Sequence, residues 1–196
     1  TMGINRILVH RNAHQPHPTA VPGMTMGPWG IHFDRTNCLW EANKGWITYL
    51  TRCQSMLQHG LFVADFAYFT GEDPGVYTEV LPIDLHPEPL AGYDYDLIDA
   101  EMLSRNAKIV NGRMVLPDGM SYRVLVLQDR QQISLELLRT IKSFLEQGLI
   151  VIGQKPVDAP GLRSQRPENI AEFKTLVDGM WGTTELTDRS IGMGRL

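Results

Sequence analysis

The chain has 196 residues, 43% of them hydrophobic, enough for one ordinary domain or one small domain with an appendage. Its 18 basic and 22 acidic residues leave a formal net charge of −4 with no run of Lys or Arg, which argues against nucleic acid as a partner. No stretch approaches the roughly 18 consecutive apolar residues of a membrane span, and the first residues lack the basic-then-apolar layout of a signal peptide.

Residues 4–10, Ile-Asn-Arg-Ile-Leu-Val-His, read as a buried strand. A strand so close to the first residue leads us to expect further chain before it. A long irregular stretch follows, containing His10, His14, Pro16, His17, Pro18, Pro22, Gly23, Gly27, Pro28, Trp29 and Gly30. Loops of this length inside compact domains are usually functional. The spacing of Trp46, Leu50, Cys53 and Leu57 predicts a helix over residues 39–58, with Gly60 placed to stop it. Strand, loop and helix make one β/α unit over residues 1–60, in which ligands would meet the loop at the strand's carboxyl end.

From residue 61 the pattern changes to repeated β and α signals. Apolar runs predict parallel strands at 61–69, 122–127 and 149–153, and helices are expected over 94–105, after Ser134 as far as Gly148, and from Pro167 to about Met180. Asn111-Gly112 between two apolar segments predicts a hairpin, the one antiparallel departure expected in the sheet. Alternating strands and helices imply a three-layer parallel-sheet domain of flavodoxin-like type over residues 61–196.

Several residues could carry chemistry. His10, His14 and His17 lack the flanking pattern of a metal site, and Cys38 and Cys53 make neither a disulfide framework nor a paired zinc motif. In His32-Phe33-Asp34-Arg35 an imidazole, a carboxylate and a guanidinium could surround a polar ligand, or form a buried ion pair that fixes the loop; the sequence leaves both open. Trp46 falls on the helix stripe and reads as core, whereas Trp29 in its Gly/Pro loop suits a sugar face. Gly71-Glu72-Asp73 follows a strand, where a loop-capping role is the plainer reading. The glycine patterns of nucleotide-phosphate loops are absent after every strand. Glycosidic hydrolysis needs a pair of carboxyl groups, and residues 1–60 offer only Asp34 and Glu41.

The segments His14-Gln15-Pro16, residues 22–30, residues 32–37 and Tyr49-Leu50-Thr51-Arg52-Cys53-Gln54 together resemble glycoside hydrolase family 106, the α-L-rhamnosidases. The likeness continues through Phe62-Val63-Ala64-Asp65, Gly71-Glu72-Asp73, Gly92-Tyr93-Asp94-Tyr95-Asp96 and residues 116–127, covering roughly residues 3–160. It implies the last β/α unit of a (β/α)8 barrel followed by a domain like the trimerisation domain of family 42 β-galactosidases. It further implies an inverting enzyme that uses two Glu residues and a calcium-assisted sugar site. In that family the catalytic pair lies in segments before the strand that opens this chain. The resemblance therefore assigns no catalytic residue, metal ligand or cofactor to the chain itself. His14, Trp29, His32, Asp34 and Arg35 are expected to line the substrate, a rhamnose-containing glycan. The implied partners are the remainder of the barrel and, through exposed apolar surface, a second copy; the implied location of the parent enzyme is periplasmic or secreted. Two other readings stay open: a non-catalytic module for oligomer or interdomain contacts, and a self-contained hydrolase built on His32, Asp34 and Glu72.

Overall fold

The computed structural model describes residues 4–10, 12–25, 27–29, 32–72, 81–182 and 188–196. It divides into two units, Thr1–Leu61 and Phe62–Leu196.

In the first unit, residues 4–10 have no regular secondary structure and pair with no strand among the described residues, so the expected strand is not formed there. A strand exists only through a neighbour that takes its backbone groups. Here helix side chains do part of that work. The Ile7 amide donates to Gln54 Oε1 at 2.9 Å, Gln58 Nε2 donates to the Asn5 carbonyl at 3.2 Å, and Arg6 Nη2 donates to Gln58 Oε1 at 2.9 Å. Helix α1 is Lys44–Leu57, five residues shorter at its start than the spacing predicts. Residues 34–43 form successive turns instead, with the Asn37 amide bonded to the Asp34 carbonyl, the Trp40 amide to the Asn37 carbonyl, and the Asn37 side chain accepting from the Leu39 amide. Side-chain capping of this kind competes with helix propagation. Helix α1 buries none of its residues, and Trp46, expected in a core, is 48% exposed.

The second unit is mixed α/β with a mainly parallel sheet. Strands β1 (Phe66–Phe69), β2 (Tyr95–Ile98), β6 (Val124–Val126), β7 (Ile150–Ile152), β8 (Ser190–Ile191) and β9 (Gly194–Arg195) lie in the order β2-β1-β6-β7-β9-β8, parallel except for β8 against β9. A separate antiparallel sheet contains β3 (Lys108–Val110), β4 (Arg113–Val115) and β5 (Ser121–Tyr122). The Asn-Gly hairpin joins β3 to β4, with Asn111 at φ 51° and Gly112 at φ 72°, the two left-handed residues of a type I′ turn. It thus departs from a sheet of its own, and the antiparallel pair of the main sheet is β8 with β9.

Helices α2 (Leu135–Glu146) and α3 (Pro167–Trp181) follow the expectation closely, with the Ser134 hydroxyl accepting from the Leu137 amide at 3.2 Å as N-cap. Three expectations are corrected. Residues 94–105 give a strand, β2, and a short π-helical turn, Met102–Asn106, because Tyr95 to Ile98 complete the ladder beside β1. Only Phe66–Phe69 of the run 61–69 is a strand: pairing begins where Asp65 accepts from the amides of Arg123 and Val124, and Leu61 to Val63 before it are exposed. The run 122–127 breaks at Arg123, which separates β5 in the small sheet from β6 in the large one.

The core lies on one face of the sheet. Ala67, Phe69, Leu125 and Val151 pack there with Leu138 and Ile141 of α2 and Val177 and Trp181 of α3. On the other face Tyr68, Val126 and Leu85 form a small cluster, closed by the Tyr68 hydroxyl donating to the Pro87 carbonyl at 2.8 Å. No α-helix of the second unit covers that face among the described residues, and Ile150 and Ile152 on it are 41% and 40% exposed. A third layer of helices, expected from the alternating pattern, is therefore not seen among the described residues. Short irregular cover replaces it.

Candidate functional site

The long loop of the first unit is organised around one carboxylate. Asp34, 4% exposed, is the buried residue of that unit among those described. Its Oδ1 accepts from the Thr36 amide at 2.7 Å and from the Thr36 hydroxyl at 2.6 Å, and its Oδ2 accepts from Gln15 Nε2 at 2.8 Å. His32 Nε2 lies 3.3 Å from Oδ1 and 2.6 Å from Thr36 Oγ1. The same Gln15 amide group spans the loop, donating to the Met24 carbonyl and accepting from the Met24 amide, each at 2.8 Å. Thr36 Oγ1 also stands 2.8 Å from the Pro22 carbonyl, and Asn37 Nδ2 donates to the His32 carbonyl at 2.6 Å. Residues far apart in the loop are thus tied to one centre.

The chemistry of that centre follows from its partners. The Thr36 hydroxyl is the largest influence holding the Asp34 carboxyl below its ordinary value of 3.8; burial opposes it, and the Thr36 amide, Gln15 and the His32 ring add to the lowering. Asp34 is therefore an ionised acceptor that orients the loop. Of the two roles left open by the sequence for the His32-Asp34 pair, the geometry displays loop fixing.

The other three candidate residues are not in this network. His14 and Arg35 are exposed, and Trp29 is 71% exposed, its ring free to offer a flat apolar face. Met26, Gly30 and Ile31 of the same loop lie outside the described residues. His10, His14 and His17 are not gathered: no group of three His, Cys, Asp or Glu side chains among the described residues could hold a metal ion. The oxygens of Asp34 are engaged by Gln15 and Thr36, and the described residues of the loop gather no set of acidic or His side chains that would fit a calcium site of the kind the family resemblance implies. Glu72 Oε2 accepts from the Ser134 amide at 2.6 Å, so this carboxylate caps α2, the plainer of its two readings.

Sequence reasoning missed Gln15, Thr36 and Asn37 as functional residues. A signal was present for two of them: Asp-x-Thr-Asn is the kind of stretch in which Asp, Thr and Asn bond neighbouring backbone. Nothing local marks Gln15, whose partners stand 9 and 19 residues away.

Comparison with known proteins relates this chain to enzymes that cleave glycosidic bonds. It belongs to glycoside hydrolase family 106: the family model, described as alpha-L-rhamnosidase, matches residues 1–196. A putative β-glucuronidase of Formosa agariphila is 37% identical over 189 residues, which are 96% of this chain and 16% of that protein. The solved structure of a rhamnosidase from Novosphingobium sp. PP1Y superposes with a TM-score of 0.76 at 29% identity, covering 98% of this chain and 18% of the other. The chain thus spans less than a fifth of the relatives it matches.

Proposed function

We propose that the chain forms the end of the catalytic barrel and the following flavodoxin-like domain of an inverting α-L-rhamnosidase that acts on rhamnose-containing glycans. In this reading His14, Trp29 and Arg35 face the sugar, while Asp34 and His32 hold the loop that presents them. The acid, the base and any calcium ligands belong to other parts of the enzyme, and the chain alone is inactive. The observation that carries the proposal is the use of Asp34: the buried carboxylate of the first unit is spent on Gln15 and Thr36. An inverting mechanism needs two carboxyl groups about 6.5–9.5 Å apart across the bond. The strand order supports the flavodoxin-like reading, because β1, β2, β6, β7 and β9, counted as first to fifth parallel strands, lie in the order 2-1-3-4-5. The test is turnover of an aryl α-L-rhamnoside by the purified chain. None is expected, and turnover that Asp34→Asn abolishes would overturn the proposal.

A second reading, a non-catalytic module for oligomer or interdomain contacts, is favoured by the exposed Ile150 and Ile152 on the uncovered sheet face. Sedimentation of the chain tests it: a monomer at all concentrations argues against self-association through that face.

A further inference from the structure

Where the sheet of the second unit changes direction stands Arg130, whose Nε has no acceptor among the described residues. From β1 the chain passes to β2 on one side and later returns to β6 on the other. Connections that part in this way open a crevice at the carboxyl ends of the strands, where open α/β sheets receive ligands. Here the two ends are tied together. The Thr70 amide donates to the Ile98 carbonyl at 3.0 Å, and Gln128, in the left-handed region at φ 54°, donates its Nε2 to the Phe69 carbonyl at 2.9 Å.

Gly71 stands directly after β1 at φ +96°, and a Cβ there would lie 3.2 Å from Arg130 Cζ and 3.3 Å from its Nε and Nη1. The guanidinium therefore rests against bare backbone, a seat that a side chain at position 71 would occupy. Arg130 Nε is buried and has no hydrogen-bond acceptor among the described residues. Two described acids adjoin the pair in sequence and are committed elsewhere: Glu72, next to Gly71, accepts from the Ser134 amide, and Asp129, next to Arg130, accepts from Gln154 Nε2 at 2.9 Å. An arginine stays charged at any working pH, and a buried donor left without a partner is costly. The Arg130 side chain as a whole is only part-buried, which leaves it within reach of solvent.

We propose that Arg130, seated on Gly71 at the carboxyl ends of β1 and β6, forms an oxyanion site that receives the carboxylate or phosphate group of a small ligand. The planar fork of a guanidinium matches both groups. The site differs from the usual phosphate position of doubly wound folds, since the N-terminus of α2 is already capped by Glu72 and Ser134.

The test follows the Arg130 Nε–H signal of the 196-residue chain in proton–nitrogen spectra while sodium phosphate, sodium glucuronate or glucose is added, with ionic strength held constant by chloride. A saturable shift with phosphate or glucuronate and none with glucose is expected, and the anion that binds more tightly tells a phosphoryl ligand from a carboxylate one. Binding, read at the Gly71 amide, should weaken about tenfold in Arg130→Lys, which keeps the charge and loses the fork. Gly71→Ala should weaken it in the same direction. Unchanged core amides in α2 would show that the variants are folded. The absence of a saturable shift with either anion, or an equal shift of the Gly71 amide in a folded Arg130→Gln variant, overturns the proposal.

Discussion

The two units are held by different forces. In the second, side chains such as Phe69, Leu103, Leu125 and Leu138 are fully enclosed, and both helices turn their apolar stripes onto one sheet face. In the first, the buried residue among those described is Asp34, and order comes from hydrogen bonds that Gln15, Thr36 and Asn37 bring to the loop. Apolar burial is non-directional and scales with area, so it fixes elements in bulk. Hydrogen bonds contribute little each after exchange with water but are directional. A loop whose Trp29 stays exposed can be shaped by the second force without surrendering that side chain to a core.

Perturbing each unit should therefore give responses that differ in size and in reach. The largest effect is expected from Phe69→Ala, which empties space in a fully buried site between sheet and helices: a loss of about 3–5 kcal/mol in urea unfolding followed by circular dichroism. A loss below about 1 kcal/mol would mean that the unit is not held by that face of the sheet. Ser134→Ala should cost about 1 kcal/mol by the same measurement, because the Leu137 amide loses its acceptor. The Glu72 carboxylate, still bonded to the Ser134 amide, limits that loss.

The smallest global effect and the sharpest local one should come from the Asp34 centre. In Asp34→Ala, exchange of the Thr36 amide is expected to accelerate roughly tenfold while amides within α2 are unchanged. Acid should act in the same place. The folded carboxyl has a lower value than the ordinary 3.8, so the unfolded chain binds the proton more readily. The contribution of Asp34 is thus present above the ordinary value and lost as pH falls through the lowered one. Thr36 protection, corrected for the intrinsic pH dependence of exchange, should decline as pH falls below the ordinary carboxylate value of 3.8, before that of α2 does. Simultaneous loss in both units would erase the contrast drawn between them.

What could be read beforehand differs between the units for a related reason. Helices α2 and α3 carry their own caps and stripes, Ser134 and Pro167 at their starts and Gly148 and Gly182 beyond their ends, so local chemistry delimits them. The Asn111-Gly112 hairpin is equally local. Strand β2 was not legible as a strand: Tyr95-Asp96-Leu97-Ile98 is short and fits a helix pattern too, and pairing with Phe66 to Phe69 decides the matter. In the loop, the residue types His32, Asp34 and Trp29 stood out, but Gln15 did not. A glutamine acquires its meaning only from partners that the turns of the chain bring to it.

By itself the sequence determined the family, the two helices of the second unit, the tight hairpin, and the presence of a special-geometry loop rich in His, Pro, Gly and Trp. These rest on local propensity and motif, which need no distant contact. Tertiary structure alone decided that residues 4–10 join no strand among the described residues, that both helices share one sheet face, that Asp34 is spent inside its loop, and that Arg130 Nε meets Gly71 with no acceptor among the described residues. Each of these depends on which residues distant in sequence come within about 3 Å of one another, and hydrogen-bond partners are chosen at that distance.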